Sequence, residues 1–265
     1  VVAGEDGTFS AVLGLPEAQD RDAACVPLGT ANDLAREFSI SRRLRGARCE
    51  EYPSILAHLP FRACSVWSLL VNGRETPFIN YVSIGYEGAV VRDFADWRSR
   101  TTFRGRVANR VAYTLFGLRH ALTCLRGLTV RDERGDTISC ASTTGIIITN
   151  IRSHLGMAIS NNESDPSDEV IEAVSVRTVL GFPRMILAGL GLPTGLAPLT
   201  RGKRLGIAGF PPGTPIQVDA ETHPDLQRGA IVVSFKHFVR SLRRSGGVVL
   251  PHAPNAERDR VNTCG

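Results

Sequence analysis

Pro27-Leu28-Gly29-Thr30-Ala31-Asn32-Asp33-Leu34-Ala35, read with Gly4-Glu5-Asp6-Gly7-Thr8 upstream, decides the fold class of the first part of this chain. Ala24 to Leu28 reads as a short apolar strand, Gly29-Thr30 breaks it, and Ala31 to Phe38 reads as a helix. Thr30 is the expected N-cap, with Asp33 three residues on, close to capping-box spacing. Val1 to Gly4 reads in the same way as a strand end running into a turn, and Ser10 to Leu15 as a short helix. Two strand-turn-helix passages make an α/β opening. A strand end with nothing before it lacks a sheet partner, so the sequence is expected to be preceded by further βα units, and the α/β unit is expected to be incomplete as it stands. On that reading residues 1–265 alone bind nucleotide poorly.

The chemistry common to both stretches is phosphate handling. Glycines allow backbone N–H groups to approach a polyphosphate, and a helix starting near Thr30 points its positive end at the same space. Asp6 and Asp33 are then placed to hold a magnesium ion or to take a hydroxyl proton. Either stretch alone is a common turn. Together, in this order, they are far more specific.

After about Arg62 the texture changes. Val66 to Val71, the turn Asn72-Gly73 and Phe78 to Ile84 read as a hairpin, and further strands are expected at Leu128 to Arg131, Gly145 to Thr149, Val170 to Val176, Ile216 to Asp219 and Ala230 to Phe235. One long helix is expected where Val107, Val111, Leu115, Leu118, Leu122 and Leu125 recur at spacings of three and four, flanked by Arg104, Arg106, Arg110, Arg119 and Arg126. The expected organisation is therefore residues 1–62 as a partial α/β unit with a returning segment near 238–250, residues 63–237 as a β-sandwich-rich second domain, and 251–265 as a disordered polar tail.

Composition bounds the function. The 265 residues carry 31 basic and 26 acidic side chains, a net charge of +5, and only Lys203 and Lys236 among the bases are lysines. A mildly basic surface suits phosphates or anionic lipid headgroups. The six cysteines show no CxxC pairing and no histidine at metal-ligand spacing, which fits free thiols in a reducing cytoplasm. The apolar stretch Val179 to Leu199 is broken by Arg184, Pro183, Pro193 and Pro198 and is not a membrane span. There is no GxxxxGK[ST] loop, and the histidines form no HExxH or triad-like pattern. Hydrolase chemistry has no support.

The two phosphate-handling stretches resemble the GGDGT and PLGTxNDxA signatures of the diacylglycerol kinase catalytic family, which includes bacterial lipid kinases and sphingosine kinases. The resemblance continues through Phe78-Ile79-Asn80-Tyr81 to Ile84-Gly85-Tyr86-Glu87-Gly88-Ala89-Val90, through Thr149-Asn150 with Gly156-Met157, through Asp168-Glu169-Val170-Ile171-Glu172, and through Gln217-Val218-Asp219-Ala220-Glu221. It covers the chain from Gly4 to about Leu250. What it implies is an ATP- and Mg2+-dependent kinase with a cleft between an α/β unit and a β-sandwich.

By that resemblance Gly4, Gly7, Thr8, Gly29, Thr30, Asn32 and Asp33 face the nucleotide. Asp219, Asp6 and Glu221 are the catalytic candidates, with Asp219 slightly favoured as base, and Asp33 and Asp168 are the metal candidates. Asp168 reads equally as a residue of the turn Asp165-Pro166-Ser167-Asp168. The acceptor implied is a lipid hydroxyl at a membrane surface, with reversible peripheral contact, no nucleic-acid partner and a homodimer as one option. A sphingoid-base or NAD kinase, or a non-catalytic protein on the same fold, is the alternative. Glu5, Glu87, Glu169 and Ala220 depart from the family pattern.

Overall fold

The computed structural model describes residues 1–19, 21–28, 32–44, 46–59, 61–102, 105–156, 158–192, 196–227 and 229–242. The candidate residues Gly29 and Thr30, with the tail 251–265, lie outside the described residues.

The first part contains β1 (Val2–Gly4), α1 (Asp6–Leu13), β2 (Asp22–Ala23), β3 (Cys25–Pro27), α2 (Asp33–Glu37), α3 (Ile40–Leu44) and α4 (Tyr52–Ala57). There follow β4 (Phe61–Val71), β5 (Arg74–Phe78), β6 (Tyr81–Gly85), α5 (Tyr86–Arg100), α6 (Arg106–Arg119), β7 (Leu125–Arg131), β8 (Thr137–Thr143), β9 (Gly145–Thr149), β10 (Ser153–His154), β11 (Ala158–Ile159) and β12 (Ile171–Val176). The last elements are α7 (Gly181–Gly189), β13 (Pro198–Gly202), β14 (Arg204–Ala208), β15 (Thr214–Val218), β16 (Glu221–Leu226) and β17 (Ala230–Leu242).

β1 and β3 pair in parallel, as the α/β reading of the opening requires. The sheet-rich part is two antiparallel sheets. One runs β13-β12-β9-β6-β15-β16; the other runs β5-β4-β17-β14-β7-β8, with β2 added in parallel at the far end of β17. The long β17 therefore ties the first part to the second, pairing with β4 along nearly its whole length and with Asp22–Ala23 at its end.

Two apolar clusters explain why strands such as β6 and β9 are buried on every residue. Val82, Ile84, Ile146 and Ile148 face Trp67, Leu128, Leu205 and Val233 inside the sandwich. Tyr81, Ile147, Val174 and Val176 join the cluster of Phe9, Leu13, Leu34 and Phe38 from the first part. The β13–β16 sheet is thus covered on both faces, which removes the in-out alternation expected of a half-solvated antiparallel sheet. Buried Trp67 donates its indole N–H to Asn150 Oδ1 at 2.9 Å, and Asn150 Nδ2 donates to the Ile79 carbonyl at 2.6 Å. The motif residue Asn150 is accordingly a structural tie between β4 and the start of β6. Leaving the indole N–H unpaired there would cost about 1–3 kcal/mol.

The structure changes three expectations. The strand Phe78 to Ile84 is two strands, because the amides of Ile79, Asn80 and Tyr81 turn away from the ladder to donate to the Asp219 carboxylate. The hairpin partner of β4 across Asn72-Gly73 is instead β5, with both turn residues left-handed at φ +53 and +77, as a type I′ turn needs. The helix expected from Val107 to Leu125 stops at Arg119. Leu125 opens β7 and packs on Gly85, where a Cβ would lie 2.8 Å from its Cδ1, so sheet pairing overrides helical periodicity. Leu115 and Leu122 are 59% and 95% exposed.

Candidate active site

The sequence stretch Gly4-Glu5-Asp6-Gly7-Thr8 folds as strand end and helix start. β1 ends at Gly4, Glu5 is the N-cap at φ −88, and Asp6, Gly7 and Thr8 form the first turn of α1. Their N–H groups are among the first-turn donors that lack an intrahelical acceptor. This places the positive helix end within the motif itself, on an eight-residue helix, rather than at the five-residue α2. The extended φ of Glu5 also shows that this backbone needs no glycine there. Gly4 and Gly7 are required for space: a Cβ on Gly4 would lie 2.9 Å from Thr8 Cβ, and one on Gly7 would lie 2.7 Å from Glu221 Cγ.

Asp6 is 5% exposed, and one carboxylate oxygen accepts the Asp33 N–H at 2.6 Å while Oδ1 is buried with no hydrogen-bond partner among the described residues. Burial, then the nearby Asp33 carboxylate, raises its pKa to about 7; the Asp33 amide pulls it down in part, Asp219 adds to the rise, and the Asn80 side chain opposes it slightly. Asp33 follows Asn32, whose left-handed φ of +49 starts α2 without a side-chain cap. The fully buried Asp33 accepts the Tyr81 hydroxyl at 3.0 Å on Oδ2 and the Gly156 N–H at 2.7 Å on Oδ1. Glu37, at the end of α2, accepts from Arg152 at 2.7 Å and from the Ser153 N–H, fastening the same helix to the loop that carries Gly156.

Asp219 sits in the β15–β16 turn with φ +48, followed by Ala220 at +66. Its carboxylate accepts three backbone N–H groups, from Ile79, Asn80 and Tyr81 at 2.9–3.0 Å, and the Ser10 hydroxyl of α1. Its pKa is nonetheless raised to about 6, because burial outweighs these four donors. Four donors occupy about all the lone-pair directions of a carboxylate. Asp219 thus clamps α1 to the start of β6. Glu221, two residues on, lies against Gly7; burial and then Glu5 raise its pKa, and Arg98 opposes them.

The structure therefore brings together Asp6, Asp33, Asp219, Glu221, Gly4, Gly7, Thr8 and Asn32. Asp168 is elsewhere. Its Oδ1 accepts the Val170 N–H at 3.0 Å, its carbonyl accepts the Ser65 hydroxyl, and its N–H donates to the Asp165 carbonyl, while Asp165 holds Arg62 through both oxygens. These are the bonds of the turn, and Asp168 shares no partner with Asp33. Among the described residues no three His, Cys, Asp or Glu side chains are arranged as a ready metal-ligand group.

Sequence reasoning passed over Ser10, Tyr81 and His154 as site residues. Tyr81 reads as an ordinary strand tyrosine, and only its fully buried position between Asp33 and the His154 ring, 4.2 Å away, shows what it does. Glu87, flagged as a departure, accepts from His154 Nε2 at 2.9 and 3.0 Å.

Among the described residues no helix is long and apolar enough to cross a membrane. No curated protein matches the chain. A solved diacylglycerol kinase from Bacillus anthracis str. Sterne is similar in fold at 16% identity and a TM-score of 0.59, with 92% of this chain and 77% of that one covered. A second structure from the same strain matches at 14% identity and a TM-score of 0.60, over 92% of this chain and 76% of that one. The diacylglycerol kinase catalytic domain matches residues 1–52. With the diacylglycerol kinase accessory domain matching residues 77–222, more than half of its length, the chain belongs to the diacylglycerol kinase catalytic-domain family.

Proposed function

We infer that this kinase-family chain transfers the γ-phosphoryl group of ATP to a lipid hydroxyl, diacylglycerol or a close relative being the acceptor. The observation that carries the reading is the buried pair of Asp6, at the start of α1, and Asp33, at the start of α2, with Asp6 Oδ1 buried and unpaired among the described residues and the Asp6 pKa near neutrality. The donors of the first turn of α1 suit phosphate oxygens. Asp6 Oδ1 is the proton acceptor that suits a hydroxyl in general-base catalysis, since a base works best with a pKa near the working pH. Asp219 suits this role less well, because its oxygens are already engaged. Its part is to hold Ser10 and the start of β6 so that both sides of the site keep their positions.

Magnesium ordinarily takes one or two carboxylates and completes its shell with water and substrate phosphates. Glu221 at the edge of Gly7, with Glu5 close enough to raise its cost of ionisation, fits that requirement together with Glu5 better than Asp33, both of whose oxygens have donors. When bound, the ion would neutralise charge on the phosphates. Residues of this chain do the remainder: first-turn amides orient the donor, Asp6 takes the proton, and Asp219 fixes the geometry.

The lipid acceptor is supported by a surface feature. Tyr86 at the start of α5 touches both neighbouring helices: its ring lies 4.7 Å from Phe182 of α7, and its hydroxyl crowds Gly117 of α6. These two helices expose Val111, Leu115, Leu118, Ile186 and Leu187, with Leu190 just past the end of α7 and the exposed Arg110 and Arg119 beside them. Apolar side chains rimmed by arginine suit reversible contact with an anionic bilayer. Incubation of the full-length protein with Mg·ATP and a panel of dioctanoylglycerol, sphingosine and NAD tests the reading. Phosphorylation of the glycerolipid is the expected result; transfer to NAD alone, or to none of the three, would overturn it.

A further inference from the structure

Glu87 and His154 form a buried pair that the transfer chemistry does not itself use. Glu87 is in the first turn of α5 and is 3% exposed; His154 is in β10 and is fully buried. Nε2 of His154 lies 2.9 and 3.0 Å from the two oxygens of Glu87, whereas Nδ1 is buried without a hydrogen-bond partner among the described residues. The proton donated to Glu87 therefore sits on Nε2, the one ring nitrogen with an acceptor among the described residues. Glu87 is itself rigidly placed. The adjacent Gly88 lies so close to β15 that a Cβ there would be 2.6 Å from the Pro215 carbonyl oxygen, and Gly85 enters the helix at φ +96.

The residues that follow His154 are the ones that grip Asp33. Leu155 and Gly156 are both left-handed, at φ +51 and +72. The Leu155 N–H donates to the Tyr81 hydroxyl at 3.3 Å, that hydroxyl donates to Asp33 Oδ2, and the Gly156 N–H donates to Asp33 Oδ1. A leucine is held in this conformation only when its surroundings over-determine it. The surroundings here are the His154 anchor on one side and the Tyr81 ring, 4.2 Å from the imidazole and tilted 41° to it, on the other.

We propose that the Glu87–His154 pair is a positioning element of the transfer site: it anchors the left-handed turn at Leu155-Gly156, which in turn fixes the orientation of Asp33. Asp33 passes this on to Asp6 through its backbone N–H. His154 touches no reacting atom on this account and acts only through the turn.

The test compares His154→Leu, His154→Gln and Glu87→Gln in the full chain by 15N–1H spectroscopy of the Gly156 amide and by steady-state kinetics. In the unaltered protein the Gly156 amide is expected to be shifted downfield and protected from exchange by its carboxylate acceptor. His154→Leu is expected to move that resonance and speed its exchange, and to lower kcat about tenfold or more with KM for Mg·ATP little changed. His154→Gln, which keeps a donor toward Glu87, and Glu87→Gln, which keeps an acceptor, are expected to recover most of both signals. An unmoved Gly156 amide in His154→Leu, or a His154→Gln variant as impaired as His154→Leu, would overturn the proposal. Should His154→Leu fail to fold, an unprotected Gly156 amide in the unaltered protein does the same. The kinetic arm rests on the kinase reading; the amide arm does not, so a protein that phosphorylates no acceptor refutes that reading and still leaves this one decided.

Discussion

Replacing Asp6 by Asn is expected to raise stability while it removes activity, and the size of the gain is set by pH. The unfolded chain releases this proton near 3.8, the folded chain only at about 7. Between those values the native state holds the extra proton, so the contribution of Asp6 to stability is fully present below pH 3.8 and is lost as pH rises through 7. The interval corresponds to roughly 4 kcal/mol at most, and screening by water in the cleft brings the expected effect to about 1–4 kcal/mol. Asn keeps an oxygen for the Asp33 N–H. Urea unfolding of both proteins at pH 4.5 and pH 8 measures the difference. The variant is expected to be the more stable at pH 8, with a much smaller advantage at pH 4.5, and to lose on the order of a hundredfold in kcat. An equal difference at the two pH values, or a variant less stable at pH 8, would refute the burial and charge argument for Asp6.

Three further outcomes follow from the same geometry. Asp219→Asn turns an amide N–H2 toward backbone donors, so a stability loss of roughly 2–4 kcal/mol is expected by denaturant titration, with a drop in kcat secondary to it; a variant of unchanged stability would contradict the clamp. Ala220→Gly relieves a left-handed alanine at φ +66 and is expected to add about 0.5–1 kcal/mol by the same titration, less what glycine returns to the unfolded chain; a clear loss would mean that the methyl group is held by packing. Sedimentation with vesicles should show binding that rises with anionic lipid and falls with salt, and Leu115→Asp with Leu118→Asp should weaken it about tenfold or more. Equal binding of the double variant would remove α6 from the contact.

The sequence by itself determined the local elements and the inventory of chemistry. Gly4 to Thr8 and Pro27 to Ala35 announce strand-to-helix turns carrying aspartates, since glycine spacing and short-range hydrogen bonding are local properties. Gly145–Thr149 and the Asn72-Gly73 turn were legible for the same reason. What only the tertiary structure decided is how each acid is used. Asp6, Asp33 and Asp219 are alike in sequence. One has an oxygen with no hydrogen-bond partner among the described residues, one is held by Tyr81 and Gly156, and one is filled by donors 138–209 residues away along the chain, a separation no local pattern records. The same reason hid the break at Ile79-Asn80, which exists because Asp219 draws those amides out of the ladder, and the end of α6, which exists because Leu125 packs on Gly85. Residue type sets which interactions a side chain can make; burial and distant partners select among them, and both are properties of the folded chain.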